Sequence, residues 1–584
     1  MDKKSLLAFV LIFIMILLMP QYFKLINRGS TPQTIEKATE PQASRQPVST
    51  ESEKAEATRS TKPSLSGTKQ TTYLTIDTDL YTARLSSIGG GSFTSFVLKK
   101  YNMFTEEDTT LVELIKNPSE PQLLLKYVSI DGDSICLDDN FTLKQILAQN
   151  VKGDTIRLTG TDTANVDFIL NSGNQKEVVK KTLTFYGNNY IINVTTDLRL
   201  LQSEMATRYY NLAWDTGLSY TEPSLQDEVR YTKAYAYSGG ETEALDVKEN
   251  KSTRTRFSGQ TQWTAIRTMY FAAAFIAENG CPGYQLGGTG IPIAGRNYYK
   301  KFGMQIDLPV EASNQIRLYL GPLDYTIIRN LGVKLENMMS LGKLLRPISK
   351  GILWTFINLR KVIPNYGWVL IVFSLLIKIL LQPLTSRSMQ SMKEMQKLQP
   401  KVEELRLKYK NDPQKMSSEQ MKLYKEHGVN PMGGCLPLLL QMPILIALFT
   451  VFRTTIELRH APFIWWITDL SAPDTIYTLP FSIPLYGRHV NVLPIIMALS
   501  TILQQKLSGS TSSNPQQKMM MYLMPIMFFF MFNQFPSGLN LYYTLFNVLT
   551  VLQQKYIPAK AKPKKQRPST LQTLRQIQSK TRFK

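Results

Sequence analysis

The chain has 584 residues and a formal net charge of +22 at pH 7; it is too long for one domain, and its charge points to an anionic partner such as lipid headgroups or RNA. Its three cysteines (Cys136, Cys281, Cys435) and three histidines (His427, His460, His489) are scattered, with no spacing suited to a metal ion. No Walker A sequence, nucleophile elbow, HExxH or dinucleotide fingerprint occurs, which sets aside the enzyme classes those motifs mark.

The first element is an apolar run from Leu6 to Met19 behind Lys3 and Lys4. No small-x-small cleavage site follows it. Residues 1–23 therefore read as an uncleaved signal anchor with a cytoplasmic N-terminus, a cleaved signal peptide being the alternative. Residues 24–72 are rich in Ser, Thr, Pro, Gln, Glu and Lys, and read as a flexible linker because they lack the apolar surface to offset chain entropy. From Tyr73 the texture changes. Tyr73–Asp79, Thr155–Thr159, Val178–Phe185 and Tyr190–Thr195 cluster β-branched and aromatic residues, and turn signals such as Gly89-Gly90-Gly91 and Asp131-Gly132 separate such runs. They predict a large antiparallel β domain over 73–328, placed outside the cytoplasm by the anchor before it.

Residues 329–365 hold a helical pattern. Leu344, Leu345, Ile348, Ile352, Leu353, Phe356 and Ile357 share one face, with Lys343, Arg346, Lys350 and Arg360 among them. That pattern fits an amphipathic helix in the membrane interface, or else a soluble core helix. Five apolar stretches follow within 366–556, near 366–385, 435–453, 490–506, 519–535 and 537–556. With the anchor they predict six transmembrane spans, several of them short enough to require tilt or a thinned bilayer. The loop 386–433 and the tail 557–584 are strongly basic, whereas 457–489 is not. Both termini are then cytoplasmic and the β domain periplasmic. The expected fold class is a multidomain membrane protein: an α-helical transmembrane core with five of the six spans, plus a large extracytoplasmic β domain.

The loop 386–433 reads as a cytoplasmic helical hairpin. Its stripe Met389, Met392 and Met395 suits packing between two helices, or an adaptable surface that captures apolar segments. The tail carries Lys560, Lys562, Lys564, Lys565 and Arg567 and has no acidic residue, so it suits anionic lipid or ribosomal RNA. Within the spans, Lys378 stands in the middle of the apolar run Trp368–Leu384. An ammonium at the centre of a span costs about 2.5–3.5 kcal/mol, so it must face protein, water or a partner. Ser374, Gln382, Gln441, Thr450, Gln504, Asn540 and Asn547 are candidates to line a hydrated groove with it, although each alone could simply bond a neighbouring helix.

Longer motifs carry a resemblance. Gln382-Pro-Leu-Thr385, Ser391–Pro400, Tyr409-Lys-Asn-Asp412, Asn430–Pro443, Ala461-Pro-Phe463, Trp466–Ser471 and Phe535–Tyr542 closely resemble the YidC/Oxa1/Alb3 membrane protein insertases. Asp77-Thr-Asp79, Gly89-Gly90 and Tyr319–Pro322 add a weaker resemblance to the Gram-negative YidC form, whose external domain is a β-supersandwich. The resemblance implies an inner-membrane insertase and chaperone without ATP hydrolysis or cofactor. It acts on nascent membrane proteins alone or with the Sec translocon, and the tail binds the ribosome; DNA is not a partner. It also implies a groove with a positive residue five positions before the PLT motif, here Lys378, where the usual residue is arginine. A secondary transporter with Lys378 as substrate or proton site is the alternative, but no internal repeat supports it.

Overall fold

The computed structural model describes residues 65–66, 70–104, 109–116, 120–172, 176–293, 297–342, 345–410, 412–429, 436–483, 486–507 and 515–556. The signal anchor, most of the linker and the basic tail lie outside the described residues.

The β domain consists of two sheets over one apolar core. The larger has fourteen strands and runs in order through Thr163–Ser172, Glu177–Tyr186, Ile191–Asp197, Asn314–Pro322, Phe271–Ile293, Asn297–Pro309 and Tyr209–Trp214; the smaller has six. Residues of both sheets, among them Ile76, Phe96, Val166 and Leu183, bury into a shared cluster. Among the described residues pairing is antiparallel with one exception: Thr155–Arg157 lies parallel to Tyr73–Asp77. This departs from the purely antiparallel expectation, because the chain reaches that edge by a long crossover instead of a hairpin.

Alternation along Glu177–Tyr186 buries Val179, Lys181, Leu183 and Phe185. Lys181 thus occupies an apolar position. Its ammonium donates to the Gly89 carbonyl at 3.0 Å and to the Leu123 carbonyl, and burial pushes its pKa down to about 7. The Gly89-Gly90-Gly91 turn beside it has φ of 64°, 73° and 94°, a backbone region that favours glycine.

The sandwich core continues past residue 328. Helix α1 (Leu225–Tyr231) packs beneath the large sheet, and α2 (Tyr325–Asn330) leads to a 3₁₀ turn, Leu335–Met338. Leu335, Met338 and Leu341 bury in the sandwich core. Trp263 donates to the Val333 carbonyl at 2.9 Å, and Arg267 donates to the Met338 carbonyl at 3.0 Å.

Helix α3 (Arg346–Arg360) buries Ser349, Ile352, Leu353 and Phe356. Leu353 enters the sandwich core while Ile352 and Phe356 enter the helical core. The expected apolar face is therefore a protein seam between two cores; of the residues assigned to it, Ile348 is exposed, as is Trp354 nearby.

Helices stand at all five expected core positions: α4 (Tyr366–Lys397), α7 (Leu436–Thr454), α8 (Leu493–Leu507), α9 (Pro515–Phe532) and α10 (Ser537–Tyr556). Among the described residues, however, only Tyr366–Ser386 is long and apolar enough to cross a membrane; Leu440–Thr454, Leu493–Leu507 and Leu523–Phe532 are shorter apolar helices. A bilayer core is about 30 Å thick, and the 15 residues of Leu440–Thr454 or Leu493–Leu507, at 1.5 Å each, reach only about 22 Å. The loop before α8 contains a β hairpin, Thr475–Ile483 with Gly487–Asn491, which the sequence pattern did not predict.

The segment expected to be a helical hairpin belongs to a separate compact unit, which includes Ser391–Pro431. In it α5 (Gln399–Lys408) and α6 (Pro413–Glu426) pair, with the Asp412 carboxylate capping α6 by accepting from the Lys415 amide at 3.0 Å. Leu398, Tyr424 and Val429 form its small core, against which Met395 and Val402 pack.

Candidate functional site

Lys378 lies about 18 Å along α4 from Tyr366, at 1.5 Å per residue. It is only 7% exposed. Its ammonium donates to the Thr550 hydroxyl at 2.7 Å and sits 4.5 Å from the centroid of the Phe546 ring, both on α10. Thr550 donates its own proton to the Phe546 carbonyl at 2.6 Å, so its lone pairs are free to face the ammonium. Among the described residues no carboxylate pairs with Lys378. A charge-assisted hydrogen bond contributes about 1.5–3 kcal/mol and a desolvated cation–π contact about 2 kcal/mol. Together these offset the cost of burying the charge in the helical core, so Lys378 is held by a hydroxyl and an aromatic face with no carboxylate beside it among the described residues.

Helix α10 presents buried polar groups at Asn540, Thr544, Asn547, Thr550 and Gln553. Asn547 donates to Ser500 at 3.0 Å and to Thr501 at 2.9 Å, tying α10 to α8. Asn540 donates to the Phe532 carbonyl at 3.2 Å and closes the turn from α9. Gln441 Nε2, Asn540 Oδ1, Thr544 Oγ1 and Gln553 Oε1 are buried without a protein partner among the described residues. Dry polar atoms cost about 1–3 kcal/mol each, so this interior suits water.

The expected groove residues divide accordingly. Lys378, Gln441, Asn540 and Asn547 are buried polar groups of the helical core. Ser374 and Thr450 donate back to their own helices, to Leu370 at 2.7 Å and Ile446 at 2.9 Å. Gln382 and Gln504 are half-buried. Sequence reasoning missed Thr550, Phe546 and Gln553, although steps of three and four along α10 from Asn540 point to Thr550. Of the methionines expected to capture substrate, Met389 is buried and Met395 packs in the hairpin core. Met392 is half-buried.

A second polar cluster joins the helical core to the β domain. Arg459 Nε meets Glu222 Oε1 at 2.8 Å, with the rings of Tyr270 and Phe271 beside its guanidinium. Arg453 pairs with Asp227, and His460 Nδ1 meets Asp469 at 2.8 Å. The Tyr325 amide donates to Glu457 at 3.2 Å. Burial, with Asp324 nearby, pushes the Glu457 pKa up to about 8.

Comparison with known proteins covers nearly the whole chain. A family model described as "60Kd inner membrane protein" matches residues 358–565, and one described as "YidC periplasmic domain" matches 73–355. A protein of Chlorobaculum parvum named "Membrane protein insertase YidC" is 38% identical over 571 residues, 96% of this chain and 95% of its own length. One of the same name from Prosthecochloris aestuarii is 40% identical over 494 residues, 83% of this chain and 82% of its own. A solved structure titled "Active YidC insertase crystal structure with the first transmembrane domain resolved" covers 85% of this chain and 95% of its own at 18% identity; it superposes loosely, with a TM-score of 0.36.

Proposed function

This chain belongs to the YidC family of membrane protein insertases, its function is membrane protein insertion, and we propose that Lys378 serves as a transient counter-ion for acidic segments crossing the membrane. The observation that carries this reading is a buried ammonium held by a hydroxyl and an aromatic face, with no carboxylate beside it among the described residues. A substrate span of about 20 apolar residues gains roughly 6–12 kcal/mol, and each acidic residue drawn across costs about 2.5–3.5 kcal/mol. Apolar transfer thus drives a short tail with one or two charges without ATP, but not a large polar domain. The buried, unpartnered polar atoms of α7 and α10 support a hydrated groove that shortens the dry path.

The proposed topology has six spans with both termini cytoplasmic and the β domain periplasmic. It is supported by the loop charges and by the contacts of Arg453 and Glu457, at the C-terminal end of α7, with the β domain. Partners beyond the substrate are the Sec translocon, anionic lipids, and the ribosome through Lys560, Lys562, Lys564, Lys565 and Arg567. The test is insertion of a small single-span substrate into proteoliposomes without ATP. Lys378→Ala is expected to lower insertion of an acidic-tailed substrate and spare a neutral-tailed one; equal insertion of both overturns the counter-ion role.

A further inference from the structure

The hairpin Thr475–Ile483/Gly487–Asn491 belongs to neither the groove nor the β domain, since its two strands form a sheet of their own. An isolated two-stranded hairpin is marginal in water. This one nevertheless exposes Ile476, Tyr477 and Phe481, the last two each 60% exposed. Tyr477, Leu479, Phe481 and Ile483 alternate with Thr478, Pro480 and Ser482, and residues 475–491 contain Arg488 but no Asp or Glu. The pairing register shifts between Thr475 and Tyr477 and again between Thr478 and Ile483, so the apolar face is set by exposure and not by strict alternation: it is the surface of Ile476, Tyr477 and Phe481.

The hairpin is fixed at its root by Asp474 and at its turn by Asn533, and the buried Tyr486 ring packs against Phe529 and Phe530 of α9. Asp474 Oδ2 accepts from the Val492 amide at 3.0 Å, the Leu493 amide at 2.7 Å and the Trp466 indole at 3.1 Å. Asn533, just beyond α9, donates to the Tyr486 carbonyl at 2.9 Å and the His489 carbonyl at 2.7 Å. The strands are thus held at the ends of two core helices. Trp466 stacks on Trp465, which is 82% exposed. Trp368, in the first turn of α4, meets Phe463 edge-on. Exposed indoles of a membrane protein mark the level of the interface; here they are Trp368 at the start of α4 and Trp465 in the loop after α7, and Asp474 bonds the hairpin to the half-buried Trp466 stacked on Trp465.

We propose that this hairpin is a membrane-seated element whose apolar face rests in the headgroup region of the outer leaflet, with Arg488 toward anionic headgroups. The choice of a lipid surface follows from three observations: continuity with the tryptophan belt, the absence of acidic residues, and anchorage at helix ends. It rests on α7 and α8 crossing the membrane. The test places the photoreactive residue p-benzoylphenylalanine at Tyr477 or Phe481 of the full-length protein, in nanodiscs of phosphatidylglycerol and phosphatidylethanolamine. Leu499, exposed on α8, and Ile130, exposed on the β domain, serve as comparison sites. Lipid adducts at Tyr477, Phe481 and Leu499, but not Ile130, are the expected result. Adducts at Leu499 with none at the hairpin overturn the proposal and leave the spans intact. Crosslinks from the hairpin to a second copy or another protein overturn it in favour of a protein partner. Absence at all three sites overturns the membrane placement of α8 and the proposal with it.

Discussion

Arg459 and Glu222 form an ion pair across the junction between the helical core and the β domain, with side chains only 3% and 8% exposed. Burial makes the two charges dependent on each other. Removing one partner of such a pair typically costs about 3–5 kcal/mol, because the other charge is stranded. Glu222→Gln should therefore lower the thermal unfolding midpoint of the purified protein sharply. The double variant Glu222→Gln/Arg459→Met should recover most of that loss, as a double-mutant cycle would read.

The same junction has a pH dependence of definite sign. Glu457 titrates near 8 in the folded protein against an ordinary 4.5. Between those values the folded chain keeps a proton that the unfolded chain releases, so this group's contribution to stability falls as pH rises from 4.5 to 8. Glu457→Gln retains the acceptor for the Tyr325 amide and cannot ionise. It should raise the unfolding midpoint at pH 8 and change it little at pH 5.

Lys378 allows function and stability to be separated. Lys378→Met removes a buried charge without stranding a partner charge among the described residues, so the unfolding midpoint should hold or rise while insertion of acidic-tailed substrates falls. Lys378→Arg retains the charge and should support insertion. Thr550→Val removes the acceptor at nearly constant volume and should cost about 1.5–3 kcal/mol.

Gly91 tests the turn beside Lys181. Its φ is 94°, and a Cβ there would meet Leu183 Cδ1 at 2.6 Å and Phe168 Cε2 at 2.8 Å. Left-handed backbone costs a non-glycine residue about 1–2 kcal/mol and overpacking about 1–3 kcal/mol. Gly91→Ala should therefore destabilise the protein by about 2–5 kcal/mol in chemical unfolding.

Periodicity and charge were enough to divide this chain. Alternation from Tyr73 announced the β domain, apolar runs located the core helices, although α4 runs on to Lys397, twelve residues past the expected end, and Lys378 stood out because no acidic residue in its run explains it. The triple glycine was readable as a turn, since few other residues adopt three successive positive φ values. Those are local properties, set by side-chain period and backbone sterics.

Tertiary structure decided the rest. Thr550 and Phe546 became the neighbours of Lys378 only when α4 and α10 met, a contact between residues 172 apart in sequence. Nothing in the run Val178–Phe185 distinguishes Lys181; the fold does, by enclosing its ammonium between the Gly89 and Leu123 carbonyls. The face of α3 could be read as a membrane surface or as that of a core helix, because amphipathic spacing does not say what covers it, and here Leu353 and Phe356 enter two different protein cores. The sequence by itself determined which segments bury apolar surface and where a charge is out of place. Only the folded chain decided which groups satisfy that charge, because hydrogen bonds and ion pairs depend on distances between elements that no local period encodes.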